Sequence, residues 1–114
     1  DNGVKMGNLL QQGLASLADH PLVGEVRGRG MLAAVELVTD KAKKTPFPAA
    51  AKPASRIFDR AWENGLVIRA FAQGVLGYAP PLCCTEDEIA QIVERTKLTL
   101  DQTLADPDVR AAMA

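Results

Sequence analysis

The stretch Met31–Val38 constrains this chain more than any other. Met31, Ala33, Val35 and Leu37 alternate with Leu32, Ala34, Glu36 and Val38. Period-two alternation marks a strand, and both sides of this one are apolar apart from Glu36. That is the pattern of a strand covered on both faces. A chain of 114 residues has room for one core. A strand of this kind therefore calls for a partner surface beyond what a lone small domain supplies.

The rest of the chain supplies the first covering layer. Met6, Leu10, Leu14 and Leu17 recur at helical spacing, so Val4–Ala18 reads as a helix that ends before Pro21. Leu22–Val38 reads as strand interrupted by Gly24, Gly28 and Gly30. Asp40–Pro53, with Lys41, Lys43 and Lys44 followed by Pro46, Pro48 and Pro53, reads as a long mobile loop that orders only against other structure. Ala54–Asn64 is a second helix. Its apolar positions Ala54, Ile57, Phe58, Ala61 and Trp62 place both aromatics on the face expected to be buried, and Gly65 suits its left-handed cap.

Leu66–Ile68 then reads as a strand entering Arg69, and Val75–Ala79 as another, ended by Pro80-Pro81. Thr85-Glu86-Asp87-Glu88 is a capping box, with three acids at the positive end of a helix dipole. That last helix buries Ile89, Ile92, Val93, Thr96, Leu100 and Leu104. The expected fold is α+β: an antiparallel sheet of about three or four strands with helices on one face. A domain over residues 1–105 is followed by a tail, 106–114, that reads as disordered.

Composition removes several function classes. The net charge is -1, without the basic excess of a nucleic-acid-binding domain. No apolar run approaches the ~20 residues that cross a bilayer. The opening Asp1-Asn2-Gly3 leads into an amphipathic pattern rather than a signal peptide, so the expected setting is cytoplasmic. His20 is the sole histidine, and Cys83-Cys84 match neither a zinc pair nor a CxxC redox pair, so no metal site is expected.

Gly28-Arg29-Gly30-Met31-Leu32-Ala33 spells G-x-G-x-x-A. A dinucleotide fingerprint needs a helix after the glycines, and this segment continues as strand. The glycines read as a bend between strands, and Arg27 and Arg29 as surface or ion-pairing residues. Arg69 stands apart, because it closes an apolar strand beside a glycine-bearing loop. From the residues alone it is either an arginine solvating a sheet edge or a guanidinium poised to grip a carboxylate through two parallel hydrogen bonds.

Three motifs stand in order: Val26-Arg27-Gly28-Arg29-Gly30-Met31-Leu32 running into Ala34-Val35-Glu36-Leu37; Glu63-Asn64-Gly65-Leu66-Val67-Ile68-Arg69; and Ala79-Pro80-Pro81-Leu82 before Thr85-Glu86-Asp87-Glu88-Ile89. Together they resemble the C-terminal small domain of class III pyridoxal-phosphate-dependent aminotransferases, and most of all the omega-transaminase branch of amine:pyruvate type. The resemblance runs from Val4 to about Leu104.

That resemblance implies a fold type I enzyme. Its large domain holds the cofactor on a lysine, and its small domain closes over amine and keto-acid substrates. It implies that Arg69 binds the keto-acid carboxylate and swings aside for apolar amines. It also implies a homodimeric parent whose large domain is this chain's partner. Lysines 5, 41, 43, 44, 52 and 97 do not stand in the family's Schiff-base context. The chain therefore reads as a fragment with no catalytic or cofactor-binding residue of its own, inactive alone and binding no cofactor. The competing reading is a free-standing α+β module that binds a small regulatory ligand.

Overall fold

The computed structural model describes residues 1–71 and 74–113. Helix α1 (Asn2–Ala15) leads into strands β1 (Val23–Arg29) and β2 (Leu32–Leu37). A 3-10 turn at Ala49–Ala51 precedes α2 (Pro53–Glu63). Strands β3 (Arg69–Phe71) and β4 (Val75–Tyr78) follow, then α3 (Glu86–Ala105) and α4 (Pro107–Met113). The strands form one antiparallel sheet in the order β1-β2-β4-β3. This is the expected α+β architecture with four strands.

The registers decide which side chains share a face. Val35 pairs with Leu76, and Leu76 with Ala70; Ala33 pairs with Tyr78. Val35, Leu37, Leu76 and Tyr78 are buried with Ala33 beneath the helices. On the opposite face, Arg27 pairs with Ala34, Ala34 with Gly77 and Gly77 with Arg69. That face is open, and Leu32 and Phe71 stand on it largely exposed. The two-sided apolar strand is thus covered on one side only.

The glycine pattern has a backbone explanation. Gly30 begins the two-residue turn of the β1–β2 hairpin, at a φ of 59° that favours glycine. α1 grips this hairpin. The Gln11 side-chain amide donates to the carbonyls of Gly30 (2.9 Å) and Leu32 (3.0 Å), and a Cβ on Gly7 would lie 2.7 Å from the Gly30 carbonyl carbon. The segment after the glycines is strand, as the sequence reading required.

Both later helices have well-formed ends. Pro53 starts α2, where its missing N–H costs nothing. At the other end, the Gly65 amide donates to the Trp62 carbonyl and the Leu66 amide to that of Ala61, with Gly65 at a φ of 77°. That bond pair is a Schellman cap. Thr85 and Glu88 complete the reciprocal capping box of α3, at 3.2 and 3.0 Å. Thr99 and Thr103 join Ile89, Thr96 and Leu100 in the buried stripe, their hydroxyls satisfied by carbonyls four residues back.

Several expectations need correction. Trp62 and Phe58 are not core anchors. Trp62 is 63% and Phe58 39% exposed, and they stack on each other on the outer side of α2. Ile57 and Ala61, one position back in each turn, take the inward side at 0% exposure. The pattern was apolar on two adjacent stripes, and periodicity alone does not say which stripe the sheet takes. Leu66–Ile68 is not strand, because on its outer edge β4 pairs with Arg69–Phe71 alone; the strand begins at Arg69 instead of ending there.

The 40–53 loop carries anchors of its own. Phe47 is buried, Asp40 bridges to Thr45, and the Lys41 ammonium donates to the carbonyls of Ala18, His20 and Val23. These three carbonyls, in the α1–β1 turn and at the start of β1, tie the loop to the body of the domain. The tail is helical, not disordered: Val109 is buried, and Asp106 accepts from Arg60 (2.6 Å) and Arg56 (3.3 Å). Desolvation pushes the Asp106 carboxyl up, but the Asp108 amide and the two guanidiniums outweigh it and hold the group below the usual carboxylate range.

Tyr78 gives a direct readout of core integrity. It is the only tyrosine, 5% exposed, and its hydroxyl lies 3.1 Å from Thr96 Oγ1. Thr96 spends its own hydrogen on the Ile92 carbonyl, so Tyr78 is the donor. Burial pushes the phenol up to about 12. The folded pKa is raised, so this contribution to stability is complete below pH ~10 and is lost as pH climbs toward ~12, on the order of 3 kcal/mol in all. Tyrosinate absorbance should therefore rise together with unfolding in an alkaline titration. Ionisation at pH 10 in a chain that stays folded would contradict the packing described.

Candidate carboxylate site

Strand pairing places Arg69. It is the first residue of β3, an edge strand, and projects on the open face of the sheet opposite Gly77. Side chains at i and i+2 of a strand share a face, so Phe71 stands beside it. The guanidinium carbon lies 5.5 Å from the Phe71 ring centroid, within cation–π range. Leu32, Ala34, Phe58, Val67, Arg69 and Phe71 line a shallow apolar depression of about 810 Å³.

Partnership separates Arg69 from the other arginines. Arg27 on the same face is neutralised by Glu36 at 2.7 Å and Glu25 at 3.3 Å. Arg56 and Arg60 hold Asp106. Arg95 donates to the Gly65 carbonyl and Arg110 to that of Leu104. Among the described residues, Arg69 has neither an ion pair nor a hydrogen bond. Arg29 is likewise free and stands on the same face, opposite Leu32 at the hairpin end of the sheet, but it does not itself line the depression. A guanidinium over an apolar bed, with its donor edge uncommitted, has the chemistry to take a carboxylate bidentately.

A second hollow of about 360 Å³ lies between Gly65–Val67, Tyr78–Pro81 and α3. Its cation, Arg95, already serves a carbonyl, and its Glu88 belongs to the capping box. It offers less to an anionic ligand.

The lysines do not fit a cofactor amine. All six are exposed; Lys5 pairs with Glu86, Lys97 with Asp101, and Lys41 holds the loop. A Schiff-base lysine needs a desolvated amine facing a pocket. Among the described residues no group of three metal-ligating side chains converges, and no helix is long and apolar enough to cross a membrane. His20 accepts from the Leu22 amide through Nδ1 and reaches Asp101 through Nε2, a structural link between the α1–β1 turn and α3.

The sequence reading singled out Arg69 but missed Phe71. With the strand assigned to Leu66–Ile68, Phe71 fell into the following loop. The signal was present in Arg69-Ala70-Phe71, a period-two pair that shares a face once the strand is shifted by three residues. Part of that loop, residues 72 and 73, lies outside the described residues, as does the hinge expected of it.

Known proteins agree with this architecture. The family profile of class III aminotransferases matches residues 1–100. The diaminobutyrate–2-oxoglutarate transaminase of Halomonas elongata is 42% identical over 103 residues, covering 89% of this chain and 22% of the relative. The putrescine–pyruvate aminotransferase of Pseudomonas aeruginosa is 40% identical over 97 residues, 84% of this chain and 21% of its own length. The solved structure of a thermostable sixfold mutant of the omega transaminase from Pseudomonas jessenii superposes with a TM-score of 0.83 at 43% identity, over 90% of this chain and 22% of that one. The chain thus spans about a fifth of the length of the proteins it matches. With the family profile covering nearly all of it and the fold agreeing, the chain belongs to the class III aminotransferases.

Proposed function

We propose that this chain is the C-terminal small domain of a pyridoxal-phosphate-dependent, omega-transaminase-like enzyme, which moves an amino group from an amine donor to a keto acid such as pyruvate. Arg69 is the carboxylate-binding residue of that enzyme. The observation that carries this reading is the Arg69 guanidinium on an open apolar sheet face, without an ion-pair or hydrogen-bond partner among the described residues. Relatives that use a keto acid, by name pyruvate in one case and 2-oxoglutarate in another, are consistent with a site for a carboxylate. The exposed Leu32, Trp62 and Val67 support a domain whose outer surface the rest of a longer chain covers.

In the full enzyme, bound pyridoxal phosphate supplies the electron sink. The residues of this domain bind and orient the acid: the Arg69 fork holds its carboxylate, and the apolar bed excludes water from around it. The catalytic lysine and the phosphate-binding groups come from the large domain, and the working form is a cytoplasmic homodimer. The fragment alone is inactive and binds no cofactor. A free-standing regulatory module is the weaker reading, since relatives of this similarity carry the same sequence inside chains several times longer.

Borohydride reduction of the parent loaded with cofactor, followed by peptide mapping, tests the division of labour. One stoichiometric label is expected on a lysine outside residues 1–114. A stoichiometric label on any of the six lysines here would overturn it.

A further inference from the structure

Arg69 stands in an apolar depression with nothing polar among the described residues to hold it, yet a carboxylate clamp must present its fork in a defined direction. A free arginine side chain gives up rotamer entropy when it is fixed. Two neighbours on the open face address this. The Phe71 ring lies 5.5 Å from the guanidinium carbon. Gly77 pairs with Arg69 across the ladder and lies close to both side chains: an added Cβ there would meet Phe71 Cε2 at 3.3 Å and Arg69 Cβ at 3.7 Å. The absence of a side chain at Gly77 is what leaves space for the ring and the arginine stem to lie side by side.

We propose that Phe71 is a positioning residue for Arg69, seated by the bare backbone of Gly77. The ring takes one face of the planar guanidinium by cation–π attraction and leaves its N–H edge free for the carboxylate. Face and edge are perpendicular, so stacking and bidentate hydrogen bonding do not compete. The stack orders the fork before the acid arrives, which lowers the entropy cost of binding. Phe71 does not touch the reacting atoms; it acts through Arg69. The inference rests on the reading of Arg69 as the carboxylate residue and extends it to the side chain that aims it.

The test uses the full-length holoenzyme and measures the two half-reactions separately, with pyruvate and with an amine lacking a carboxylate. Phe71→Leu keeps apolar bulk but removes the ring's negative face. An exposed cation–π contact of this kind corresponds to roughly a two- to fivefold change in an equilibrium constant. The expected result is a rise of about that size in the KM for pyruvate with kcat little changed, and no change with the amine. Phe71→Trp should restore or tighten binding, because indole is the strongest cation–π partner. Gly77→Ala, whose Cβ would press on the ring edge at 3.3 Å, should shift the ring slightly and raise the KM for pyruvate less than Phe71→Leu does.

A series of ring-fluorinated phenylalanines at position 71 separates electrostatics from packing, since fluorine drains the ring face at nearly constant volume. The KM for pyruvate should rise in step with fluorine number. A flat series, or equal shifts for acid and amine, would overturn the proposal. Arg69→Ala serves as the reference. If it impairs the acid half-reaction while every Phe71 variant behaves as wild type, the positioning role alone fails. If Arg69→Ala leaves the acid untouched, the carboxylate reading fails, and this inference with it.

Discussion

Replacing Arg69 by alanine in the full-length aminotransferase is expected to lower kcat/KM for the keto acid by roughly ten- to a hundredfold and to leave a carboxylate-free amine nearly unaffected. The magnitude follows from the ~1.5–3 kcal/mol net value of hydrogen bonds to a charged partner, at ~1.4 kcal/mol per factor of ten. Selectivity follows from position. Arg69 supports no other residue by ion pair or hydrogen bond among those described, and it is exposed on an edge strand. Its removal therefore leaves no buried partner stranded, and the fold should survive. Arg69→Lys should recover only part of the loss, since an ammonium keeps the charge but not the planar fork. Stopped-flow traces of each half-reaction separate the outcomes, and equal losses for acid and amine would make Arg69 structural.

The second large effect concerns α2, where neighbouring positions should behave in opposite ways. Ile57 is fully buried, and its truncation to alanine should cost about 2–5 kcal/mol through lost burial and the cavity left behind. That is a large share of the ~5–15 kcal/mol holding a small domain together. Trp62 is the bigger side chain but is 63% exposed. Trp62→Ala in the 114-residue chain should shift stability by less than about 1 kcal/mol, chiefly through the stack on Phe58. Chemical denaturation of the two variants settles the facing of the helix. A larger loss for Trp62→Ala than for Ile57→Ala would mean that α2 is rotated relative to this description.

Much of this was legible in the sequence because the signals were local. The capping box at Thr85, the Gly65 stop and the turn at Gly30 are each written in a few adjacent residues, and each forms as read. Period two in Met31–Val38 gave a central strand and the need for a covering surface. Long-range choices were less legible. Which apolar stripe of α2 turns inward depends on where the sheet lies. The pairing with β4 takes in Arg69–Phe71 and leaves out Leu66–Ile68, which the local sequence does not show. Short-range composition likewise hid the tail. An alanine-rich end reads as disordered until Arg56 and Arg60, some fifty residues earlier, are seen to hold Asp106 just ahead of α4.

At the site, Arg69 stood out by residue type and flanking glycines, whereas Phe71 needed the strand register and Gly77 needed the pairing across to β4. A sequence displays a charged group, but only the ladder shows what stands next to it.

The most direct measurement is the crystal structure of the cofactor-loaded parent enzyme with a bound unreactive monocarboxylate such as propionate. The account predicts its carboxylate oxygens at about 2.7–2.9 Å from two nitrogens of the Arg69 guanidinium, in the parallel geometry of a bidentate pair. A carboxylate held by another cation, with Arg69 turned away to solvent or packed against the large domain, would contradict it.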